Sequence, residues 1–416
     1  MSGSAPDRSV IDRLRAVGPA LVLAAVVIGP GSIALSTIAG SLYGYQLLWV
    51  PVAATVFMIT YTWMAARIGL VTGRTIFGAT REKYGTTLAK AGGVLAFLTI
   101  LSFQAGNNAA MGLASDALFG TLSPQNWAIL FTLVAIGFLW LPELYNKVEF
   151  LVKVVVAVML VGFVGTLVLV GVDVGAAAGG LVPTFPDGDA ILLALGLAAT
   201  NFSIAAAVYQ TNLMTEKNWG PDKLADEGMD TLVGIGLLGL IVMVIMLTSA
   251  GVIYGQTDPV FSAAGMAEQL EPLVGSAAFY LFTIGFFFAT LSSLFVNALI
   301  GATLLIDGFD GDSQMDSRQV KYWTMAAMVL GLVAVIASGG SDSPVELLRL
   351  AQAIAVVAFP LLAFLVLDIA RDKAMMGEYA NPTIVNLLGG LGYVTVIAII
   401  FNYLNEVLAY FGYGIL

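Results

Sequence analysis

Between Arg15 and Arg67 the chain runs for 51 residues, 16–66, without one Asp, Glu, Lys, Arg or His. About 20 apolar helical residues cross a bilayer core, so this stretch holds two spans, with the Tyr43-Gly44-Tyr45 region as the turn between them. Nine further charge-free runs follow, at 91–115, 117–142, 154–172, 190–215, 231–257, 272–306, 322–341, 350–367 and 379–405. The chain is 59% hydrophobic and 11% charged, against about 25% charge in soluble domains. The pattern predicts an all-α integral membrane protein of eleven transmembrane helices, set in a prokaryotic plasma membrane with the lipid bilayer as its surround. An odd count puts the termini on opposite faces, and with alternating loops sixteen of the 17 basic residues fall on one side, leaving Arg349 alone on the other. Basic loops stay in the cytoplasm, which makes the N-terminus cytoplasmic and the C-terminus external.

Composition narrows the chemistry. With no Cys and no His, thiolate and imidazole metal sites, disulfides and His-based catalytic pairs are excluded, so neither an enzyme nor a resident cofactor is expected. A net charge of −10 argues against nucleic acid as a partner. The N-terminal MSGSAPDRSV lacks the apolar stretch of a cleaved leader. The expected organisation is one transmembrane domain over 1–416, with no soluble domain and no obligate protein partner.

The first span is interrupted near its middle by Ile28-Gly29-Pro30-Gly31-Ser32, where two glycines around a proline remove helix propensity and a backbone donor together. Non-helical backbone at that depth is tolerated only inside protein or along a cavity, and such broken helices mark substrate sites in inverted-repeat transporters. Gly29-Pro30-Gly31-Ser32 is followed by Ala39-Gly40, by Tyr43-Gly44-Tyr45-Gln46-Leu47-Leu48-Trp49-Val50 and by Arg67-Ile68-Gly69-Leu70-Val71-Thr72-Gly73-Arg74. Over these two helices the chain resembles the NRAMP family of divalent-metal transporters. Glu149, Gln352 eight residues before Pro360, and Met376-Gly377 followed by Asn381 extend the resemblance downstream. It implies a LeuT-like architecture of two inverted five-helix repeats, 1–172 and 190–368, plus an eleventh helix at 379–411. Spans one and six would be unwound around a central site reached by alternating access.

The chain departs from the family where the family binds metal. The family's Asp-Pro-Gly-Asn stands here as Gly29-Pro30-Gly31-Ser32, and its Met-Pro-His aligns with Ser203-Ile204-Ala205. A later family histidine falls on Gln210, and acidic third-helix positions fall near Gln104, Asn107 and Asn108. Without carboxylate, thioether or imidazole a tight transition-metal site is not expected, so no metal ligands are assigned. The positive end of the half-helix beginning about Gly31-Ser32-Ile33 then favours an anion. Gly29 and Gly31 permit close backbone approach; Ser32, Thr200 and Ser203 offer hydroxyl protons, and Asn201 and Asn107 amide protons. Gln352 resembles a family position that faces the site during closure, and reads equally as a structural amide. This set predicts a small anion such as bicarbonate; hydrated Mg²⁺ or a weakly held Mn²⁺, and a transport-inactive sensor or scaffold, are the alternatives.

Lys153, four residues after Glu149, reads either as a structural ion pair or as a vestibule cation. Gln104, Asn107 and Asn108 also suit interhelical hydrogen bonding. Gly234, Gly236, Gly239, Gly389, Gly390 and Gly392 read as packing seams, and residues 307–316 as a solvated cytoplasmic loop. With no histidine and an interior expected to be poor in acids, proton coupling by the family route is not expected.

Overall fold

The computed structural model describes residues 28–256, 262–338 and 344–410. Within them the chain is helical: α1 (Pro30–Tyr43), α2 (Trp49–Thr72), α3 (Ile76–Tyr84), α4 (Thr86–Phe119), α5 (Pro124–Phe138), α6 (Pro142–Val170), α7 (Val174–Gly179), α8 (Gly188–Asn201) and α9 (Ile204–Glu216). There follow α10 (Leu224–Val252), α11 (Ala263–Ala267), α12 (Glu271–Val274), α13 (Ala278–Gly308), α14 (Arg318–Ala337), α15 (Pro344–Ile354), α16 (Phe359–Arg371), α17 (Lys373–Met376) and α18 (Thr383–Tyr410). Punctuation by sequence is clear. Proline opens α1 and α5, Ser123, Asp187 and Ser317 accept capping bonds from the third residue on, and left-handed Gly73 and Gly120 close α2 and α4.

Among the described residues eight helices are long and apolar enough to cross a membrane, and α15 with α16 forms a ninth candidate bent by 43°. The expectation of eleven also counts α5 and the broken first span. Val161 (70%), Val168 (78%) and Leu387 (63%) stand exposed on the outside of the bundle, as lipid-facing side chains do. Two boundaries differ from expectation. The third helix starts as early as Thr86 and takes Lys90 and Asp116 into its ends, and the run expected as 272–306 is α12 followed by α13.

Helix α4 packs against α13, α14 and α15, α10 against α1 and α2, and α9 against α2. Backbones approach closely where glycine allows it. A Cβ on Gly239 would lie 2.0 Å from Thr55 Oγ1, on Gly389 2.9 Å from Leu367, and on Gly392 2.9 Å from Phe57, so these three are seams. Gly236 and Gly390 face open space, which corrects the seam reading for both.

The 307–316 segment is also corrected at its start. Asp307 is 7% exposed in the last turn of α13, and its carboxylate accepts from Thr75 Oγ1 at 2.8 Å and Asn212 Nδ2 at 3.3 Å. Arg81 donates to its carbonyl at 2.7 Å and pairs with Asp310 at 3.0 Å. This acid ties α3, α9 and α13 together at the end assigned to the cytoplasm. Glu227 and Asp368 are buried there as well, so the interior holds more acid than expected.

A second latch joins α3 to α16. Lys83 reaches Asp368 at 2.7 Å and Asp372 at 2.5 Å, while Arg371 holds Asp368 at 2.6 Å. Burial pulls the Lys83 ammonium down, but its bonds to Asp368 and Asp372 outweigh that and hold it above the ordinary lysine value. The Lys83 bond and the Ala374 N–H hold the half-buried Asp372 below the ordinary carboxylate value. Stabilisation from Asp372 is therefore present above the unfolded carboxylate value and is lost as pH falls through the lowered one. That from Lys83 is present below the unfolded lysine value and is lost as pH rises through the raised one. Lys83→Met is expected to cost about 1 kcal/mol, by a margin flat between about pH 5 and 10, in thermal melts across pH. A margin that changes steadily from pH 6 to 9 would count against this pairing.

Candidate functional site

The first break is built by Gly29 and Pro30. Gly29 is extended (φ −91°, ψ 172°) and Pro30 takes the first helical position of α1, where its missing N–H costs nothing. The half-helix therefore begins at Pro30, one residue before the expected start.

The second break has no proline. Helix α8 ends at Asn201, Phe202 (φ −120°, ψ 69°) and Ser203 (φ −75°, ψ 98°) leave the helical region, and α9 begins at Ile204. Two contacts hold the break. Phe202 buries its ring against Phe359 (centroids 4.5 Å), Tyr61 (5.2 Å) and Phe57 (6.0 Å), aromatic pairs each contributing roughly 0.5–1.5 kcal/mol. Ser203 Oγ accepts from Ala206 N at 3.4 Å and so caps α9. The sixth span is thus unwound by an anchored side chain and a cap.

The breaks gather four of the predicted residues. Ser32 Oγ lies 3.1 Å from Thr200 Oγ1, joining the two broken spans. A Cβ on Gly31 would lie 2.8 Å from Gln352 Cδ and 3.0 Å from Thr200 Oγ1, so Gly31, Ser32, Thr200 and Gln352 form one cluster. Gly29 belongs to an adjoining one. Its missing Cβ would lie 2.9 Å from Ser293 Oγ, and Asn107 Nδ2 donates to Ser293 O at 3.3 Å. Lys153 is half-buried and engaged on α6, a helix that packs against α10 and α13, and the side chain of Glu149 lies outside the described residues.

Hydrogen bonding corrects the donor count. Asn201 Nδ2 is given to Leu197 O at 2.7 Å, one turn back on its own helix, and Asn107 Nδ2 to Ser293 O and to Gln104 Oε1 at 3.4 Å. Asn107 thus uses both of its amide protons inside the protein, and Asn201 one of its two. Among the described residues Asn201 Oδ1 and Gln352 Oε1 are buried and accept no hydrogen bond. A buried acceptor left unpaired costs about 1–3 kcal/mol. Such atoms call for donors or a cation. Gln104 and Asn108 serve packing, giving their amides to Leu294 O at 2.7 Å and Gln104 O at 2.8 Å.

Toward the end assigned to the outside, Arg349 lies one helical turn before Gln352 with a side chain only 12% exposed. It pairs with Glu346 at 3.1 Å and Asp189 at 3.7 Å, while its Nε has no partner. Asp187 accepts from Tyr43 at 2.8 Å nearby in sequence. In the sequence Arg349 stands out only as the lone external base, and nothing local marks Ser293 or Phe202. Among the described residues no three His, Cys, Asp or Glu side chains come together, so a cation here would be held by neutral oxygens.

A family model described as natural resistance-associated macrophage protein-like matches residues 20–406. The chain belongs to the Nramp family. Among Nramp relatives, the divalent metal cation transporter MntH of Verminephrobacter eiseniae is 24% identical over 392 residues, covering 92% of this chain and 87% of that protein. A crystal structure of the Eremococcus coleocola manganese transporter is similar in fold, with TM-score 0.73 at 17% identity, covering 97% of this chain and 89% of that one. Mhp1, a nucleobase-cation-symport-1 family transporter, matches with TM-score 0.57 at 14% identity, over 93% of this chain and 92% of its own. The LeuT-like architecture implied by the resemblance is therefore the fold of this Nramp protein. It is a plasma-membrane transporter, and not an enzyme.

Proposed function

We propose that the chain carries a divalent cation by alternating access, held at the two breaks with much of its water shell. The observation that carries this is the pair of orphaned carbonyl oxygens, Asn201 Oδ1 and Gln352 Oε1. Water bound to a cation is a strong donor and satisfies such acceptors, whereas a bare anion does not. Ser32, Thr200 and Ser203 supply hydroxyl oxygens, Gly29 and Gly31 keep the approach open, and Asn107 fixes Ser293 beside it. Mg²⁺ fits best, because it dehydrates reluctantly and accepts outer-shell contacts, while Mn²⁺ and its neighbours gain from the nitrogen and sulfur ligands that are missing here. Relatives named as divalent metal cation transporters support the class of substrate. The external approach adds to it, since Asp187, Asp189 and Glu346 outnumber Arg349 and leave a net negative field.

A small anion such as bicarbonate is the second reading. It is favoured by the unpartnered Arg349 Nε and by the positive end of α1 at Pro30, with no acid in that break. Two carboxylates on Arg349 weigh against it.

Proteoliposomes holding a Mg²⁺-sensitive dye, a Mn²⁺-quenched dye or a pH dye decide between these readings. Saturable Mg²⁺ entry, with Mn²⁺ competing weakly and no response to a bicarbonate gradient, is expected. Protein-dependent pH change on adding bicarbonate, with silence toward both metals, would replace the cation by the anion.

A further inference from the structure

Where α9 meets α13 at the end assigned to the cytoplasm, a polar cavity of about 300 Å³ is bordered by Asn212 and Glu216 of α9, Thr303 of α13, and Ser313 and Gln314 of the loop that follows. Among the described residues neither Lys nor Arg lines it. Hydroxyl, amide and carboxylate oxygens dominate its walls, a ligand set suited to hard cations and not to anions. A buried hydroxyl points to an occupant. Threonines inside helices usually give their proton to the carbonyl four residues back, as Thr290 does to Phe286 O at 2.7 Å. Thr303 is 1% exposed and its Oγ1 makes no hydrogen bond among the described residues. Among the described residues the Glu216 carboxylate has no hydrogen bond or ion pair, and Asn212 is held in place by its bond to Asp307.

We propose that this cavity is a second divalent-cation site, of the hydrated Mg²⁺ class, filled from the cytoplasm. Glu216 supplies the charge, and Thr303, Ser313 and Gln314 receive the ion's water shell. A cation held there bridges the inner half of the broken sixth span to α13 and its loop. These elements must separate for the inner end of α9 to swing, so occupancy from inside holds the inner side shut and slows further entry. The binding claim stands on the cavity alone; the feedback claim rests on the transport function proposed above.

The experiment uses the full-length protein in lipid nanodiscs, with Mn²⁺ as paramagnetic probe and Mg²⁺ as competitor. Wild type, Glu216→Gln, the near-isosteric Thr303→Val and Gln352→Ala are compared. A Mg²⁺-displaceable Mn²⁺ site that survives in Gln352→Ala and weakens about tenfold or more in Glu216→Gln and Thr303→Val is expected. In proteoliposomes preloaded with Mg²⁺, wild-type uptake should slow and Glu216→Gln uptake should not. Unchanged Mn²⁺ binding in folded Glu216→Gln and Thr303→Val overturns the site. If wild type carries no divalent cation while the Glu216-dependent binding is present, the transport reading fails and the cytoplasmic site stands.

Discussion

Gly31→Ala should give a transporter that inserts and folds yet carries its ion about tenfold or more slowly, since small misplacements at a binding centre cost that much. Gly31 lies in the first turn of α1 with ordinary helical backbone, where alanine is favoured over glycine by about 1 kcal/mol. The added methyl meets no backbone. It meets the amide of Gln352 at 2.8–2.9 Å and the hydroxyl of Thr200 at 3.0 Å, both of which swing aside at little cost in folding. Moving them removes the Gln352 oxygen and the Ser32–Thr200 contact from their places at the breaks. Stability and flux should therefore part company. Thermal melting and dye-reported cation entry on the same preparation check this, with Gln352→Ala as the companion that empties the same position without crowding it. Equal flux in wild type and a folded Gly31→Ala would remove Gly31 and Gln352 from the site.

The two breaks differ in how far the sequence discloses them. Gly29-Pro30-Gly31 advertises the first through backbone chemistry, and α1 starts within one residue of the expected place. At Phe202-Ser203 no breaker residue stands, so the second break was expected only from the resemblance and from symmetry. Its cause is tertiary: Phe202 is drawn out of the helix by Phe359 and Tyr61, residues 157 and 141 positions away, which no local pattern shows. Only the Ser203 cap has a local signature. Donor and acceptor roles were equally hidden. The sequence places amides at 107 and 201, but whether a proton or an oxygen is left over depends on Leu197 O and Ser293 O taking the nitrogens. That allocation takes the Asn107 donors away from the site and leaves spare acceptors beside its hydroxyls. Asp307 and Glu227 escaped for a simpler reason, because charge-free runs end at acids by definition and a buried acid at a helix end reads as loop.

Gly40→Ala should be strongly destabilising. On α1 the new Cβ would lie 2.4 Å from Met246 O, 2.8 Å from Ser249 Cβ and 2.9 Å from Ala250 N of α10. Two of these are backbone atoms in the last two turns of that helix and have no rotamer to change. The helices would have to part, and the neighbouring bonds resist that: Ser249 Oγ donates to Thr37 O at 2.6 Å, and Gln269 Nε2 to Thr37 Oγ1 at 2.8 Å. Overpacking of this kind costs about 1–3 kcal/mol, offset only in small part by alanine's better helix propensity. The same methyl at Gly390, where nothing lies within 4 Å, should leave the melting temperature unchanged or slightly raised. Detergent-solubilised melts of the two variants make the comparison at equal chemistry. Because α10 meets α1 above the first break, Gly40→Ala should also lower flux in proportion to the folded protein that remains, whereas Gly31→Ala lowers flux per folded molecule. Equal melting of Gly40→Ala and Gly390→Ala would mean that α1 and α10 are not as closely packed as the 2.4 Å approach requires.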